Sequence, residues 1–253
     1  MVSPVTELTM RRCWVAAVML LGLVQGCVQQ PVQGDRNDAA DPEKAAQIYT
    51  DLGLGYLQQG RYELAQTKLE RAVELNDESA DSHHYIAETY KQLGEFDLAD
   101  RHYRKAVALT PEDHRLLNNY GAYLCDRGQF DQAEDYFLQA AQLPRNKTPE
   151  FAYENIALCA LRENDLEKAE RYFRNALELR PKMPKSLLRM VEIKVNQSEH
   201  LSARAFLQRF HGIVAETRDS LRLGIQVETA LGDRAAAEKY RQLLAEKFPE
   251  SVD

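Results

Sequence analysis

The chain of 253 residues has no HExxH pair, no glycine-rich phosphate loop and no nucleophile elbow. Each absence removes a class of chemistry: the helical zinc pair with its general base, the backbone cradle for nucleotide phosphates, and the exposed serine of a hydrolase. No cofactor is expected. A basic stripe is missing as well. Lysine and arginine number 32 against 39 aspartates and glutamates, a net charge of −7. Phosphate backbones need concentrated cationic surface, so nucleic acid is excluded as a principal partner. Long apolar runs are scarce too. The one that exists, Cys13 to Val24, falls well short of the roughly 20 residues that a spanning helix needs.

Arg11 and Arg12 precede that run, and Gly26-Cys27 closes it. A positive n-region, a short apolar stretch and a small residue before the end make a signal segment, residues 1–26. Glu7 suits an export n-region poorly, so Met10 competes with Met1 as the start. Leu23-Val24-Gln25-Gly26-Cys27 resembles a bacterial lipobox, departing from it at Gln25. The resemblance implies that Cys27 is acylated and becomes the mature N-terminus, held in lipid by about 0.8 kcal/mol for each buried CH2. Val28 follows in place of the aspartate that resembles an inner-membrane retention signal, which favours the periplasm-facing leaflet of the bacterial outer membrane. Residues 27–45 are polar, with Pro31, Gly34, Asp35, Asn37, Asp38, Asp41 and Pro42, and read as a flexible tether. As a random coil it reaches about 20 to 25 Å.

Beyond the tether the dominant signal is a repeat. Ala65, Ala99, Ala133, Ala169, Ala203 and Ala237 recur every 34 residues, with one interval of 36. Gly60, Gly94, Gly128, Asn164, Ser198 and Gly232 each stand five residues earlier, so a turn residue precedes every second helix. Around these lie small residues such as Gly53 and Gly121 and large ones such as Leu69, Tyr103, Phe137 and Phe173. The whole pattern resembles the tetratricopeptide repeat. That implies an all-α fold: a solenoid of six antiparallel helix pairs forming a right-handed superhelix, over 46–79, 80–113, 114–147, 150–183, 184–217 and 218–251. Thr110-Pro111 and Thr148-Pro149 read as capping hydroxyls before a first-turn proline. The last two repeats are degenerate. Val191 and Ile225 stand where a small residue is expected, and His200 and Arg234 where an aromatic is. The run from Arg234 to Lys247 is amphipathic, with Ala237, Tyr240 and Leu244 inward.

Such a scaffold leaves no segment for a catalytic domain, and an enzyme is not expected. His84 and Glu88, four apart on one helix face, could share a metal, but a third ligand is lacking and no metal site is expected. Cys125 and Cys159 fall on the first helices of repeats three and four. Two states remain open for them: a disulfide in an oxidising envelope, adding roughly 3 to 4 kcal/mol in the chain-entropy model, or two reduced thiols.

The repeat resemblance implies that first helices line a concave groove. Its positions are Leu54, Leu57 and Gln58, then His84, Glu88 and Lys91, then Asn118, Ala122 and Cys125, then Glu154, Leu158 and Arg162. Leu54 and Leu57 would present apolar surface to a peptide. Repeats one and two carry six acidic against three basic and seven against four residues, whereas repeat five carries three against five. A basic partner segment is therefore steered to the N-terminal end.

Two stretches are more specific than the repeat consensus, Leu117-Asn118-Asn119-Tyr120-Gly121-Ala122-Tyr123-Leu124-Cys125 and Glu154-Asn155-Ile156-Ala157-Leu158-Cys159-Ala160-Leu161. With the lipobox and tether they resemble the pilotin lipoproteins of type IV pilus biogenesis. That resemblance implies a partner, the outer-membrane secretin, and a task, bringing its subunits to the outer membrane and promoting their multimerisation. The chain itself is expected to be monomeric apart from that partner. A generic periplasmic adaptor of the same architecture, recruiting an envelope-assembly or peptidoglycan enzyme, shares the lipobox and the repeats and stays open.

Overall fold

The computed structural model describes residues 41–249. The signal segment, Cys27 and most of the tether lie outside the described residues. Among the described residues there are twelve α-helices, in six antiparallel pairs. The pairs are α1 (Pro42–Gln58) with α2 (Tyr62–Leu75), α3 (Ala80–Leu93) with α4 (Phe96–Leu109), and α5 (His114–Asp126) with α6 (Phe130–Gln142). They continue as α7 (Pro149–Arg162) with α8 (Leu166–Leu179), α9 (Pro184–Asn196) with α10 (His200–His211), and α11 (Arg218–Ala230) with α12 (Arg234–Lys247). This is a tetratricopeptide-repeat solenoid.

One backbone device makes all six hairpins. Gly60, Gly94, Gly128, Asn164, Ser198 and Gly232 have φ between 60° and 80°, the left-handed region. The N–H of the following residue then reaches the carbonyl five residues upstream of itself. Arg61 donates to Tyr56 at 2.9 Å and Glu199 to Lys194 at 2.8 Å, with equivalents in the other four pairs. These bonds satisfy carbonyls that a helix end would otherwise leave unpaired. Asn164 tolerates this conformation through its short amide, but Ser198 has no such excuse and carries strain of about 1 kcal/mol.

Close approach within each pair follows from the alanines, which are all essentially inaccessible. Opposite them sit the small residues of the first helices. A Cβ on Gly121 would lie 2.9 Å from the Phe137 ring, and one on Gly224 would lie 2.9 Å from that of Tyr240. The second contact corrects the expectation for the last repeat: Gly224, not Ile225, holds the close-approach position. The shift by one residue arises because Tyr240, rather than the residue after it, turns inward.

Two further expectations are corrected. The tether does not extend to residue 45. Pro42 occupies the first helical turn, the Asp41 carboxylate accepts from Lys44 N at 3.0 Å, and Ala45 and Ala46 are buried. Thr110 does not cap α5 either. Its hydroxyl donates back to Ala106 O at 3.2 Å, and Asp113, ionised and three residues nearer, accepts from Arg115 N at 2.8 Å. Thr148 does precede Pro149 at the start of α7, but its hydroxyl donates to Asn146 Oδ1 instead of capping.

Stacking buries aromatic and aliphatic side chains between pairs, and polar links join each pair to the next. Between the first and second, the Thr50 and Ser82 hydroxyls lie 2.7 Å apart and the Tyr90 hydroxyl donates to Glu70 at 2.9 Å. The Tyr120 hydroxyl donates to Asp100 at 2.9 Å, and that of Tyr172 to Glu134 at 2.6 Å. At the fourth interface, between the fourth and fifth pairs, the almost fully buried Lys194 ammonium reaches Glu170 at 2.6 Å. Burial pushes the Glu170 carboxyl up, but hydrogen bonds from Lys194, Gln197 and Arg174 outweigh it and bring the group down to about 2. At the fifth the polarity reverses: Arg204, on the second helix of pair five, binds the buried Glu228 of α11, with Nε to Oε1 at 3.0 Å.

Two stability outcomes follow. Ser198→Gly relieves the left-handed strain at an exposed site and should raise Tm by about 2 to 4 °C in thermal unfolding followed by circular dichroism. Arg204→Glu should cost about 3 kcal/mol by leaving Glu228 buried against a like charge, and adding Glu228→Arg should restore most of it. Equal destabilisation of the single and double variants would show that the pair does not act as a pair.

Candidate functional site

The first helices α1, α3, α5, α7, α9 and α11 are neighbours in sequence of stacking, and contacts between them define one continuous surface. His84 Nε2 lies 2.9 Å from Asn119 Nδ2, and Asn155 Nδ2 donates to Asn118 Oδ1 at 3.4 Å. Cys125 and Cys159 are bonded Sγ to Sγ with Cα atoms 5.8 Å apart, a covalent staple between α5 and α7. Both cysteines are buried. Ser186 of α9 donates to Glu154 of α7 at 2.5 Å. Each contact joins adjacent repeats, so the groove is a polar seam held open by its own hydrogen bonds.

His84 and Glu88 do not form a metal pair. The Glu88 carboxylate accepts from the Tyr103 hydroxyl and pairs with Lys91 Nζ at 2.9 Å, while His84 is engaged by Asn119. Burial pushes the His84 imidazole below its usual pKa and the Tyr103 phenol above its own, the latter helped by Glu88. Among the described residues no group of three histidine, cysteine, aspartate or glutamate side chains is placed to hold a metal ion. Asn118 spends its amide on His114 O at 2.8 Å. Arg162 is exposed and pairs with Asp126 at the end of α5, the first helix of the preceding pair.

At the N-terminal end the apolar surface is placed differently from the expectation. Leu54 and Leu57 are half-buried, Leu57 against the core, and Gln58 is exposed. The exposed apolar side chains of α1 are Ile48, at 51%, and Leu52, at 46%. Their register explains this. The corresponding residues of later first helices, such as Ser82 and Ile86 or Ala152 and Ile156, are buried where the preceding repeat stacks on them. Repeat one has no described predecessor, so the face stays open. Comparing registers across repeats would have picked out Ile48 and Leu52. The same comparison would have found Asn119 and Asn155, which both stand two residues before the small residue of their helix.

Beneath the seam, His83 and His102 face each other with Nδ1 atoms 2.8 Å apart, and His83 Nε2 lies 3.0 Å from Asp77 O and 3.2 Å from its carboxylate. The Tyr90 ring stacks on His102. Burial, then the charges of His83 and Arg101, pull His102 down to about 4, against smaller opposing effects of Asp77 and Glu70.

Models of the tetratricopeptide repeat match residues 44–112, 102–135 and 150–183. The chain is similar to the type IV pilus assembly protein PilF of Pseudomonas aeruginosa, with 32% identity over 237 residues, 94% of this chain and 92% of the relative. The solved structure of Pseudomonas aeruginosa PilF aligns with a TM-score of 0.69 and 32% identity, covering 83% of this chain and 95% of that one. PilW, described as a widely conserved type IV pilus biogenesis factor, aligns with a TM-score of 0.68 and 26% identity, covering 83% and 96%. YrrB, a tetratricopeptide-repeat protein, is 15% identical with a TM-score of 0.56 over 73% and 94% of the two chains, and shares the fold.

The histidine pair gives a pH outcome. The unfolded His102 imidazole binds a proton near pH 6.5, whereas the folded one resists it until about pH 4. Its contribution to stability is therefore complete above pH 6.5 and is lost as pH falls toward 4. His84 and His211, also lowered by burial, act in the same direction. Between pH 7 and pH 5, Tm should fall, and His102→Gln should flatten that fall more than His84→Gln does. A slope unchanged in the His102 variant would place the acid sensitivity elsewhere.

Proposed function

The chain belongs to the family of tetratricopeptide-repeat proteins that includes the type IV pilus assembly protein PilF, and on that premise we propose that it is an outer-membrane lipoprotein pilotin. In this reading it binds the secretin through which the pilus emerges, and promotes that protein's outer-membrane localisation and multimerisation. One observation carries the reading of the binding end: Ile48 and Leu52 are exposed on a face that every following repeat buries. Terminal repeats of a solenoid ordinarily turn a polar face to water. An apolar one, beside the half-buried Leu54 and Leu57 and on a repeat with six acidic against three basic residues, fits an amphipathic segment with basic flanks.

The division of labour needs no chemistry. Acyl chains on Cys27 supply the address, since two or more chains anchor stably where one does so only marginally. The short polar segment before Asp41 supplies reach, and the solenoid holds the secretin subunit so that both travel together. The seam of Gln58, His84, Glu88, Lys91 and Asn118 extends the binding surface away from the apolar end.

The test is fractionation of the secretin into monomer and heat-resistant multimer in cells lacking the gene and restored with variants. Wild type should restore outer-membrane multimers. Cys27→Ser should give a folded protein that still binds the secretin and leaves it mislocalised. Ile48→Lys with Leu52→Lys should weaken secretin binding by about tenfold or more with Tm unchanged, because neither side chain is buried. Multimers that persist in the deletion strain would overturn the pilotin reading.

A further inference from the structure

The rim of the solenoid where one pair passes to the next changes sign along the array. Its first two connections carry Asp77 and Glu78, then Glu112 and Asp113. The third, residues 144–149, carries Arg145 and Lys147 and no acid, and the fourth, residues 180–185, carries Arg180, Lys182 and Lys185 and no acid. The change is confined to these two connections, since the fifth brings Glu216 and, in the first turn of α11, Asp219.

Each of the two is pinned by one inward side chain. Asn146 is buried, donates to Ala140 O at 2.8 Å and accepts from Thr148 N at 2.9 Å, and Met183 is buried in the core. Arg145, Lys147, Lys182 and Lys185 are exposed, and none of the four makes an ion pair among the described residues. Arg180 is shared between the buried Glu150, at 3.4 Å, and the Phe151 ring, whose centre lies 5.4 Å from the guanidinium. Glu178, one residue before the end of α8, is the exposed acid nearest in sequence. Two apolar side chains accompany the cations. Phe151 is 43% exposed at a position that holds Gln47, Asp81, Arg115, Lys185 or Asp219 in the other repeats. Leu179 is 54% exposed where Leu75, Leu109, Leu143 and Ile213 are half-buried.

We propose that this part of the rim rests on an anionic lipid surface, with Phe151 and Leu179 entering at headgroup level and the cations against lipid phosphates. The two connections join helix ends, so their side chains stand at the rim and not in the seam of the first helices, where an extended peptide would lie. A planar surface meets the rim. Clusters of about four to eight cations read as sites for anionic lipid, and their attraction adds to the burial of apolar side chains. Each cation close to such a surface raises partitioning about fivefold at physiological salt. Lysine, a point charge on a flexible stem, meets phosphate without a fixed orientation. The inference does not rest on the pilotin reading, because it needs neither the secretin nor the face of Ile48 and Leu52.

The chain has one tryptophan, Trp14, so Trp14→Phe with Phe151→Trp leaves a single reporter, at the rim. The full chain is reconstituted with vesicles of phosphatidylcholine alone, or of phosphatidylcholine and phosphatidylglycerol at about three to one. In the mixed vesicles the emission should shift to the blue and be quenched by bromine atoms on the acyl chains, and in phosphatidylcholine alone it should do neither. Lys147→Glu with Lys182→Glu should abolish both effects with Tm unchanged, since both lysines are exposed, and salt at about 0.5 M should reduce them. Emission indifferent to the mixed vesicles, quenching as strong in neutral ones, or quenching retained in the charge-reversed variant would overturn the proposal. Loss of the quenching to a glutamate homopeptide, at no more than the charge concentration of the phosphatidylglycerol, would overturn it too, since the rim would then prefer an acidic protein segment to lipid.

Discussion

Stacking of one helix pair on the next is the interaction on which the rest of this molecule depends. A single hairpin such as α1–α2 buries its alanine and closes its turn, yet leaves the outer face of its first helix in water. Burying that face under a neighbour gives the chain its core, and stability becomes roughly a sum of pair and nearest-neighbour terms. The fully buried Tyr103, Tyr120, Phe137 and Phe173 sit in these layers. Everything legible at long range in the sequence, the 34-residue period above all, records the need to present the same face again at each step.

Apolar stacking alone would permit pairs to slip or to meet in the wrong order, because one tetratricopeptide face resembles another. The polar links discriminate. Tyr120 seeks Asp100, Tyr172 seeks Glu134, and a disulfide ties α5 to α7. At the last two interfaces the residue after the recurring alanine is Glu170 in one case and Arg204 in the other, and the incoming first helix answers with Lys194 or Glu228. Exchanging these neighbours would bury like charges against each other, at a cost of several kcal/mol. The inverted pair thus specifies which repeat follows which, in the degenerate part of the chain where the apolar consensus is weakest.

The turn positions and the fold class were readable because they depend on local rules: a left-handed residue is needed at a fixed distance before each alanine, and Gly, Asn or an exposed Ser can supply it. Details that depend on three dimensions were not. Ile225 was favoured over Gly224 because counting from Ala237 is correct only if α12 keeps the register of the other second helices, and Tyr240 turns in one residue early. Thr110 looked like a cap until Asp113, with a full negative charge, took that position. Leu54 and Leu57 were assigned to the open surface from the general groove pattern. Which side of α1 remains uncovered depends instead on its being the first helix among the described residues, with no described repeat stacked before it, and this exposes Ile48 and Leu52. The ion pairs across interfaces were invisible for the same reason: each charge looks like an ordinary surface residue until its partner from the next repeat is known.

The two ends of the solenoid consequently differ in kind. At the C-terminal end α12 turns Arg234, Glu238 and Arg241 to solvent, the polar covering that closes an array. At the other end α1 turns Ile48 and Leu52 outward, on the helix that the preceding residues enter at Asp41. Growth by one more helix is therefore favourable at one end only, and that end is where the chain's own polypeptide connection arrives. A partner helix docked there would continue the stack with the same geometry that α2 offers to α3. The face that no other described repeat covers lies on the helix that begins just after Asp41. Position in the array, rather than any special chemistry of its residues, distinguishes this repeat from the other five.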